Sequence, residues 1–267
     1  MADTRSATPG DMEQCEMNNK DLVLKAVREL FGDKDPSAVD RWVSPSYTQH
    51  SALAADGPEA LRELVSSLSP DFRYDGARVI ADGDLVALHG IYYGFGPVPL
   101  VAFDIYRVEN GRLAEHWDAL VPVVEDTVSG RSQTGGPTRA GDLARTEANR
   151  KLVTEYAEKV LKGADYSAVA DYTSTETYLQ HNPEAGDGLE GFGVAAATWA
   201  AQGKNVVYTR IHRVIAEGDF ALVQAEGEFG VPVAYYDLFR LADGKIVEHW
   251  DAIPAIPAEL PHDNGLF

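Results

Sequence analysis

Acidic and histidine side chains recur at one fixed spacing in the two halves of this sequence. Asp104 is followed by His116 and Asp118, twelve and fourteen residues further along. The same residue types return at the same intervals in the second half, as Asp237, His249 and Asp251. A buried carboxyl group with a raised pKa can take a proton from a carbon beside a carbonyl group and return one, and a neighbouring histidine can assist. The two groups therefore predict acid/base proton transfer.

Asp104 and Asp237 each fall in the middle of a predicted strand. Side-chain alternation puts each carboxyl on the same face as aromatic and aliphatic neighbours, so we expect it to be buried and its pKa to rise. The alternative is a surface carboxylate paired with an arginine. Arg107 and Arg240, three positions further on, face the other way and weaken that alternative.

Asp118 and Asp251 follow on the next predicted strand, because an Asn-Gly or Asp-Gly turn separates the two acids of each group. A carboxyl group whose pKa is raised by burial can accept a proton and return it. The structural alternative is an aspartate that closes a loop at the end of a strand. The sequence is compatible with both interpretations.

The last strand of each half offers two faces, and only one of them can line a pocket. His116 and His249 share a face with the candidate acid/base aspartates, whereas Trp117 and Trp250 lie on the opposite face. If the histidine face points inward, the aspartate holds the histidine in the tautomer that proton transfer requires. A buried tryptophan is more often core than site, but both indoles remain candidate substrate contacts.

A shorter motif, Tyr-x-Gln-His, ends a predicted short strand in each half. It carries Tyr47 and His50 in the first half, and Tyr178 and His181 in the second. An imidazole with the ordinary pKa of ~6.5 is suited to move protons, and the tyrosines are candidate substrate contacts. The alternative for each histidine is a hydrogen bond to backbone. Only the second motif continues into Asn-Pro, which makes the second half the better candidate for activity.

A metal site competes with the acid/base interpretation. His116, Asp118 and His50 would in principle hold one ion, but no His-x-x-x-His motif or acidic loop supports such a site. We therefore predict neither a metal nor another cofactor.

The chain is a tandem duplication. Residues 104–119 and 237–252 align without a gap, and eight of these sixteen positions are identical. Self-similarity at one offset indicates two copies of one structural unit. The predicted organisation is a disordered tail at 1–18, a domain at 19–124, a linker or surface strap at 125–145, and a second domain at 146–267.

Each half begins with helical periodicity and ends with strand periodicity. Asp21–Phe31 and the run from Thr146 carry apolar residues at helical spacing, and two further helices follow in each half. Later residues alternate with period two. The predicted strands are Val79–His89, Val101–Val108 and Leu113–Val121, then Val206–Ile215, Ala221–Glu228, Val233–Leu241 and Ile246–Ile253. Helices followed by an antiparallel sheet give an α+β fold.

The composition is acidic, with 23 Lys and Arg against 42 Asp and Glu and a formal net charge of −19. A protein that binds nucleic acid or anionic lipid needs a basic surface, and the apolar runs are far shorter than the roughly 20 residues that span a bilayer. Cys15 is the single cysteine, which excludes an internal disulfide. We expect a cytoplasmic protein without nucleic-acid or membrane partners.

Three stretches resemble the SnoaL-like polyketide cyclase family, and more narrowly its bacterial aldol-condensation members. They are the Tyr-x-Gln-His-Asn-Pro motif at 178–183, the run from Asp237 through Glu-His-Trp-Asp, and the Ile-Pro…Asn-Gly-x-Phe stretch at 256–267. The resemblance implies a cone-shaped α+β barrel, shared with ketosteroid isomerase and nuclear transport factor 2, whose curved sheet wraps around helices and leaves an apolar pocket. It also implies pairing through the outer sheet face, within the chain as a pseudo-dimer or between chains as a homodimer.

The resemblance further implies a cofactor-independent cyclase or isomerase that acts on a small carbonyl compound, through aldol-type cyclisation or a related step of secondary metabolism. Asp251 would be the acid/base, His181 would assist or bind the carbonyl, and Asp237 with His249 would stabilise the enolate. The equivalent set in the first half is Asp118, His50, Asp104 and His116. The alternative is a module of the same fold that binds a small molecule or partner without turnover.

Overall fold

The computed structural model describes residues 17–267 and shows the duplication directly, as two helix-and-sheet units built from the same elements in the same order. Cys15 and most of the predicted tail lie outside the described residues. Within the described part of the chain, no helix combines the length and the apolar character that crossing a membrane requires.

The first unit starts with helix α1 and ends with strand β5. Its helices are α1 (Asn19–Val27), which continues into a π-helical turn at Arg28–Gly32, α2 (Ala38–Trp42) and α3 (Gly57–Ser67). Its strands are β1 (Val43–Gln49), β2 (Arg73–Asp82), β3 (Leu85–Tyr93), β4 (Leu100–Glu109) and β5 (Arg112–Pro122).

The second unit repeats this plan. After a 3₁₀ turn at Leu143–Arg145, its helices are α4 (Thr146–Tyr156), continued by a π-helical segment at Ala157–Lys162, then a 3₁₀ turn at Tyr166–Ala168 with α5 (Val169–Tyr172), and α6 (Gly188–Ala201). Its strands are β6 (Leu179–Gln180), β7 (Val206–Glu217), β8 (Phe220–Phe229), β9 (Pro232–Ala242) and β10 (Lys245–Ala252).

The strands of each unit form one five-stranded sheet, in the orders β1-β5-β4-β3-β2 and β6-β10-β9-β8-β7. Only the short first strand of each sheet is parallel to its neighbour. The hairpins before β5 and β10 turn at Asn110-Gly111 and Asp243-Gly244, where both residues have positive φ. Such turns match the twist of the flanking strands and fix their register. The predicted α+β cone fold is therefore confirmed.

The range Val79–His89 contains the Asp82-Gly83-Asp84 turn that the sequence also predicted, and the structure divides the range there. The chain reverses direction at Gly83, which has a φ of 62°. Two antiparallel strands, β2 and β3, lie on either side of that turn. The prediction also left out the start of β2 at Arg73, where the period-two pattern is weak.

The two sheets pack against each other through the faces that do not contact their own helices. A buried apolar cluster joins residues of both units, among them Phe103, Trp117, Leu222, Tyr236 and Trp250. Two arginines add cation–π contacts across the boundary. The Arg78 guanidinium lies 4.3 Å from the Trp250 ring centroid and that of Arg213 lies 3.9 Å from the Trp117 ring. A homodimer of whole chains stays a prediction.

Each unit also sends its C-terminal extension onto the other unit. The segment after β5, which the sequence predicted as a linker or strap, crosses to the second unit, where Ser129 Oγ donates to the Gln180 carbonyl at 2.7 Å. The segment after β10 crosses back to the first unit, and Asn264 Nδ2 donates to the Gln49 carbonyl at 3.0 Å. We call these two segments, 123–142 and 253–267, the crossing straps.

Replacing Trp117 with alanine should destabilise the whole protein, because this side chain is 3% exposed and packs between the two sheets. We expect the free energy of unfolding to fall by about 3–5 kcal/mol, the usual cost of removing a large buried aromatic. Denaturant unfolding followed by circular dichroism measures it. Leu53→Ala, at a side chain that is 58% exposed, is the control and should change stability little. A comparable loss in both variants would contradict the packing role.

Candidate active site

The histidine face of the last two strands points into the unit, and the tryptophan face points to the sheet–sheet boundary. In the second unit, Asp237, His249 and Asp251 line a cavity of about 530 Å³ between the sheet and the helices. The register of β9 and β10 places Asp237 directly opposite Asp251. The structure therefore resolves which face lines the pocket, and it brings the three predicted polar side chains together.

A continuous chain of hydrogen bonds runs through this site. Gln180 Nε2 donates to the Tyr178 hydroxyl at 3.2 Å, and Gln180 Oε1 lies 3.1 Å from His249 Nδ1. On the other side of the ring, His249 Nε2 lies 3.1 Å from Asp237 Oδ1, and the Tyr208 hydroxyl donates to Asp237 Oδ2 at 2.9 Å. Residues of β6, β7, β9 and β10 thus hold one another in place around His249.

The glutamine fixes the proton positions on the histidine. In the first unit, the backbone N–H groups of His50 and Ser51 donate to Gln49 Oε1 at 3.0 and 2.9 Å, so this oxygen is oriented toward His116 Nδ1. Because a carbonyl oxygen only accepts, the facing Nδ1 carries a hydrogen. The equivalent amide of Gln180 makes the same contact with His249. Nε2 of each ring then shares one proton with the carboxylate opposite it.

Burial, hydrogen bonds and neighbouring charges shift two pKa values at the site. Burial lowers the pKa of His249, but the hydrogen bond that its protonated Nε2 donates to Asp237 and the charges of Asp251 and Asp237 outweigh burial and raise it above the ordinary value. Burial is the main cause that raises the pKa of Asp251 to about 6, with the charge of Asp237 acting in the same direction. The charge of His249 and a 2.7 Å hydrogen bond from Asn182 Nδ2 oppose that rise.

The first unit repeats the network. His116 lies 2.9 Å from Gln49 Oε1 and 3.1 Å from Asp104 Oδ1, and Gln49 Nε2 donates to Tyr47 at 3.2 Å. Burial raises the pKa of Asp118 to about 6, as it does for Asp251. The polar groups are therefore duplicated along with the fold.

The two cavities differ in size although each contains the same group of two aspartates and a histidine. The first has a volume of only about 40 Å³, which is room for no more than a few water molecules. Three aromatic side chains of the first unit fill the space, and each has a smaller counterpart in the second. The pairs are Phe31 and Leu161, Phe72 and Val206, and Tyr92 and Gly227, matched by strand register and by the equivalent π-helical turns.

His50 and His181 lie on the sheet face away from the cavities, so their predicted place in the pocket is corrected. His181 Nδ1 lies 2.6 Å from the Ser132 carbonyl of a crossing strap, Nε2 lies 2.9 Å from Glu248, and the ring stacks on Trp250 at 4.7 Å. His50 makes the same contacts with Gly265, Glu115 and Trp117. Gln180 points into the unit, and alternation turns the next side chain outward.

The predicted substrate contacts divide in the same way. Tyr47 and Tyr178 line the two cavities. Trp117 and Trp250 lie in the sheet–sheet boundary, so their predicted substrate contact is corrected. Each tryptophan lies one residue before Asp118 or Asp251, the candidate acid/base aspartate on its strand, and neighbouring side chains on a strand face opposite ways.

The geometry of the site can be compared with what a metal ion would require. The ligand atoms of Asp237, His249 and Asp251 lie within 4.8 Å of one another, as do those of the first group. Both ring nitrogens of His249 already make hydrogen bonds, so a metal would have to displace one of them. His50, the third ligand in the alternative set, lies on the opposite face of its sheet.

Sequence reasoning did not assign roles to three residues of the second site. Gln180 orients His249, Tyr208 holds Asp237, and Asn182 holds Asp251. The repeated Tyr-x-Gln-His motif contained the signal for the glutamine. Tyr208 carried no signal, because its partner is distant in sequence and only strand register brings the two together.

The pKa of Asp251 should be close to 6 when measured by ¹³C NMR of its carboxyl carbon, with Asp251→Asn identifying the signal. In Asn182→Ala the pKa should rise further, because the hydrogen bond that favours the ionised form is lost. Glu59→Gln, at an exposed position on α3 of the other unit, is the control and should leave the signal unchanged. An unchanged or lower pKa in Asn182→Ala would contradict the assigned contact.

The chain matches one family model in sequence and resembles several solved structures in fold. A SnoaL-like domain model matches residues 24–116 and 153–249. Among solved structures, TsrD from Streptomyces laurentii shares 19% identity over 39% of this chain and 91% of its own, with a TM-score of 0.34. An NTF2-like protein from Cytophaga hutchinsonii shares 17% identity over 41% of this chain and 95% of its own, with a TM-score of 0.37.

IdmH from Streptomyces antibioticus, described as a predicted polyketide cyclase, shares 19% identity over 39% of this chain and 92% of its own, with a TM-score of 0.33. At these identities and TM-scores, the three likenesses carry no inference about activity. No curated protein matches the chain. The two ranges of the domain model together cover well over half of the sequence, so the chain belongs to the SnoaL-like domain family.

Proposed function

We propose that the second unit is a cofactor-independent acid/base enzyme that moves a proton on a carbon beside a carbonyl group, in an aldol-type cyclisation or an isomerisation. The observation that carries the proposal is a pair of buried carboxyls, Asp237 and Asp251, directly opposite each other in the wall of a cavity of about 530 Å³. Membership of the SnoaL-like family is consistent with this reaction class.

Asp251 is the base in this proposal. A carboxylate with a pKa of about 6 is ionised at neutral pH, yet it is basic enough to accept a proton from an acidic C–H group. Its position among apolar side chains raises its basicity, and Asn182 fixes its orientation. The protonated carboxyl then returns the proton to an oxygen or carbon of the product.

Asp237 and His249 share a proton that is separate from the substrate proton taken by Asp251. Nε2 of the ring shares it with Asp237, and the raised pKa of His249 favours the imidazolium. A positive charge beside Asp251 stabilises the negative charge that forms when the substrate loses its proton. The role expected for this pair, stabilising the enolate, thus has a physical basis in the geometry.

The second cavity is the proposed reaction site and the first is not. A cavity of about 40 Å³ does not admit an organic substrate, whereas about 530 Å³ is typical of a small-molecule site. The second site also has Asn182 on its acid, where the first has Ser51. The sequence favoured the second half for the related reason that only its motif continues into Asn-Pro.

The cavity walls indicate an apolar substrate. Besides the polar network, the lining includes Tyr156, Leu161, Leu189, Phe192, Trp199, Val206, Phe229 and Phe239. Such walls favour a compact carbonyl compound of aromatic or alicyclic character, and its carbonyl group would lie near Asp237 and Asp251.

Asp251→Asn should slow proton exchange strongly. We would incubate the protein in D₂O with cyclic 1,3-diketones and β-keto esters and follow loss of the α-hydrogen by NMR. Removing the base should slow exchange by about 10²–10⁴-fold, the usual contribution of a positioned general base. Asp118→Asn, at the matching position of the closed cavity, is the control and should retain the wild-type rate.

Two results would overturn the proposal. One is undiminished exchange in folded Asp251→Asn, and the other is loss of exchange in Asp118→Asn alone. Binding of the panel compounds without exchange by the wild type would instead favour a binding module without turnover.

The rate should depend on pH in one direction. Asp251 acts when ionised, so exchange should rise as the pH increases through about 6 and level off above it. The profile in Asn182→Ala should move to higher pH, because its Asp251 is harder to ionise. Initial rates between pH 4 and 8 measure this. A rate that falls through pH 6 would show that the protonated carboxyl is the active form.

A further inference from the structure

The second cavity contains several tyrosine hydroxyls, and most of them are already committed to the protein. Tyr208 donates to Asp237 Oδ2 at 2.9 Å, Tyr235 to the Glu228 carbonyl at 2.7 Å, and Tyr166 to the Val206 carbonyl at 3.1 Å. A hydroxyl has one hydrogen to donate, so these three have none left for a ligand.

Tyr178 differs from these three. Its oxygen accepts a hydrogen bond from Gln180 Nε2 at 3.2 Å, and its own O–H has no acceptor among the described residues. The residue is 5% exposed and lines the cavity together with Asp237 and Asp251. A buried hydroxyl with an unused hydrogen is a donor that lacks a partner, and such groups are rare unless a ligand completes them.

Gln180 sets the direction of this donor. Its Oε1 faces His249 Nδ1 at 3.1 Å and the backbone N–H of Asn182 at 3.4 Å, which leaves Nε2 to face Tyr178. Because the amide donates to the phenol oxygen, the phenol cannot use Gln180 as an acceptor. The O–H is therefore left for a group in the cavity.

We propose that Tyr178 donates a hydrogen bond to the carbonyl oxygen of the substrate and holds the enolate oxygen during reaction. This inference rests on the proposed function. The Asp251 carboxylate takes the α-proton, the C–H electron pair forms the C=C bond, and the carbonyl π electrons move to the oxygen that Tyr178 contacts. The enolate carbon then attacks a second carbonyl of the same molecule, and the new alkoxide takes the proton from Asp251.

Tyr178 keeps its own proton throughout. Burial is the main cause that raises its pKa well above the ordinary value, and the nearby acids act in the same direction. The phenol is thus a donor that does not ionise, and its hydrogen bond strengthens as charge develops on the substrate oxygen. Gln180 links Tyr178 to His249 and Asp237. One chain of hydrogen bonds therefore joins the donor to the substrate oxygen with the pair that stabilises the enolate charge.

The structure offers a rival donor and a matched control. Tyr156 also lines the cavity, but it belongs to α4 and packs edge-on against Phe239 at 5.5 Å. Tyr47 repeats the contact of Tyr178 with its glutamine at 3.2 Å, inside the closed first cavity. The three phenylalanine variants differ from the wild type by one oxygen atom each.

The test compares Tyr178→Phe, Tyr156→Phe and Tyr47→Phe in the D₂O exchange assay and in binding of p-nitrophenol, whose phenolate absorbs visibly and mimics an enolate. We expect Tyr178→Phe to lower kcat about 10–100-fold with KM changed less than about threefold, since the hydrogen bond is strongest in the transition state. It should also weaken phenolate binding about 10-fold or more without weakening that of p-nitrotoluene. Tyr47→Phe should match the wild type.

Several outcomes would overturn the proposal while leaving the proposed function intact. In the first, Tyr178→Phe keeps the wild-type kcat while Asp251→Asn is inactive. In the second, kcat falls in Tyr156→Phe and not in Tyr178→Phe. If the wild type exchanges no compound of the panel, the proposed function fails, and phenolate binding alone decides on Tyr178. Equal phenolate affinity in the wild type and Tyr178→Phe, including no binding by either, overturns the donor role.

Discussion

The direct opposition of two carboxyl groups across one hairpin is the constraint on which the rest of the second unit depends. Asp237 and Asp251 are 2% and 7% exposed, and burying two like-charged groups side by side is unfavourable unless both are compensated. The structure supplies the compensation from separate elements. His249 and Tyr208 contact Asp237, and Asn182 contacts Asp251. The sheet, the short parallel strand β6 and the motif at the end of β6 position the residues of this arrangement.

The opposite face of the same strand carries a second polar group with a different task. Glu248 is 1% exposed, accepts from Arg240 Nε at 2.7 Å and contacts His181 at 2.9 Å. The hydrogen bonds of Arg240 and His181 keep the pKa of Glu248 below its ordinary value, although burial opposes this. One strand therefore has an acid that stays ionised on one face and an acid that is poised to gain a proton on the other.

Much of this could be predicted from the sequence, because period-two alternation and the repeat are local signals. They gave the α+β fold, the duplication and the meeting of Asp237, His249 and Asp251. The outward direction of His181 was not predicted, since β6 is only two residues long and too short to show a pattern. The choice of face for Trp250 was equally open, because both faces of β10 are buried.

The difference in volume between the two cavities could not be predicted either. It depends on side chains from three separate places, such as Phe31 after α1 and Tyr92 on β3, whose common target is visible only in three dimensions. Their smaller counterparts, Leu161 and Gly227, look unremarkable in the sequence. The volume of a cavity depends on residues that are far apart in the sequence, so no single motif predicts it.

The crossing straps have a consequence for the duplication itself. Since each unit's extension completes the surface of the other, neither half of the chain contains all the contacts of its own fold. His181 would lose the carbonyl of Ser132 if the first half were removed, and His50 would lose that of Gly265 if the second were. The repeat boundary therefore does not divide this chain into two units that each keep every contact of their own surface.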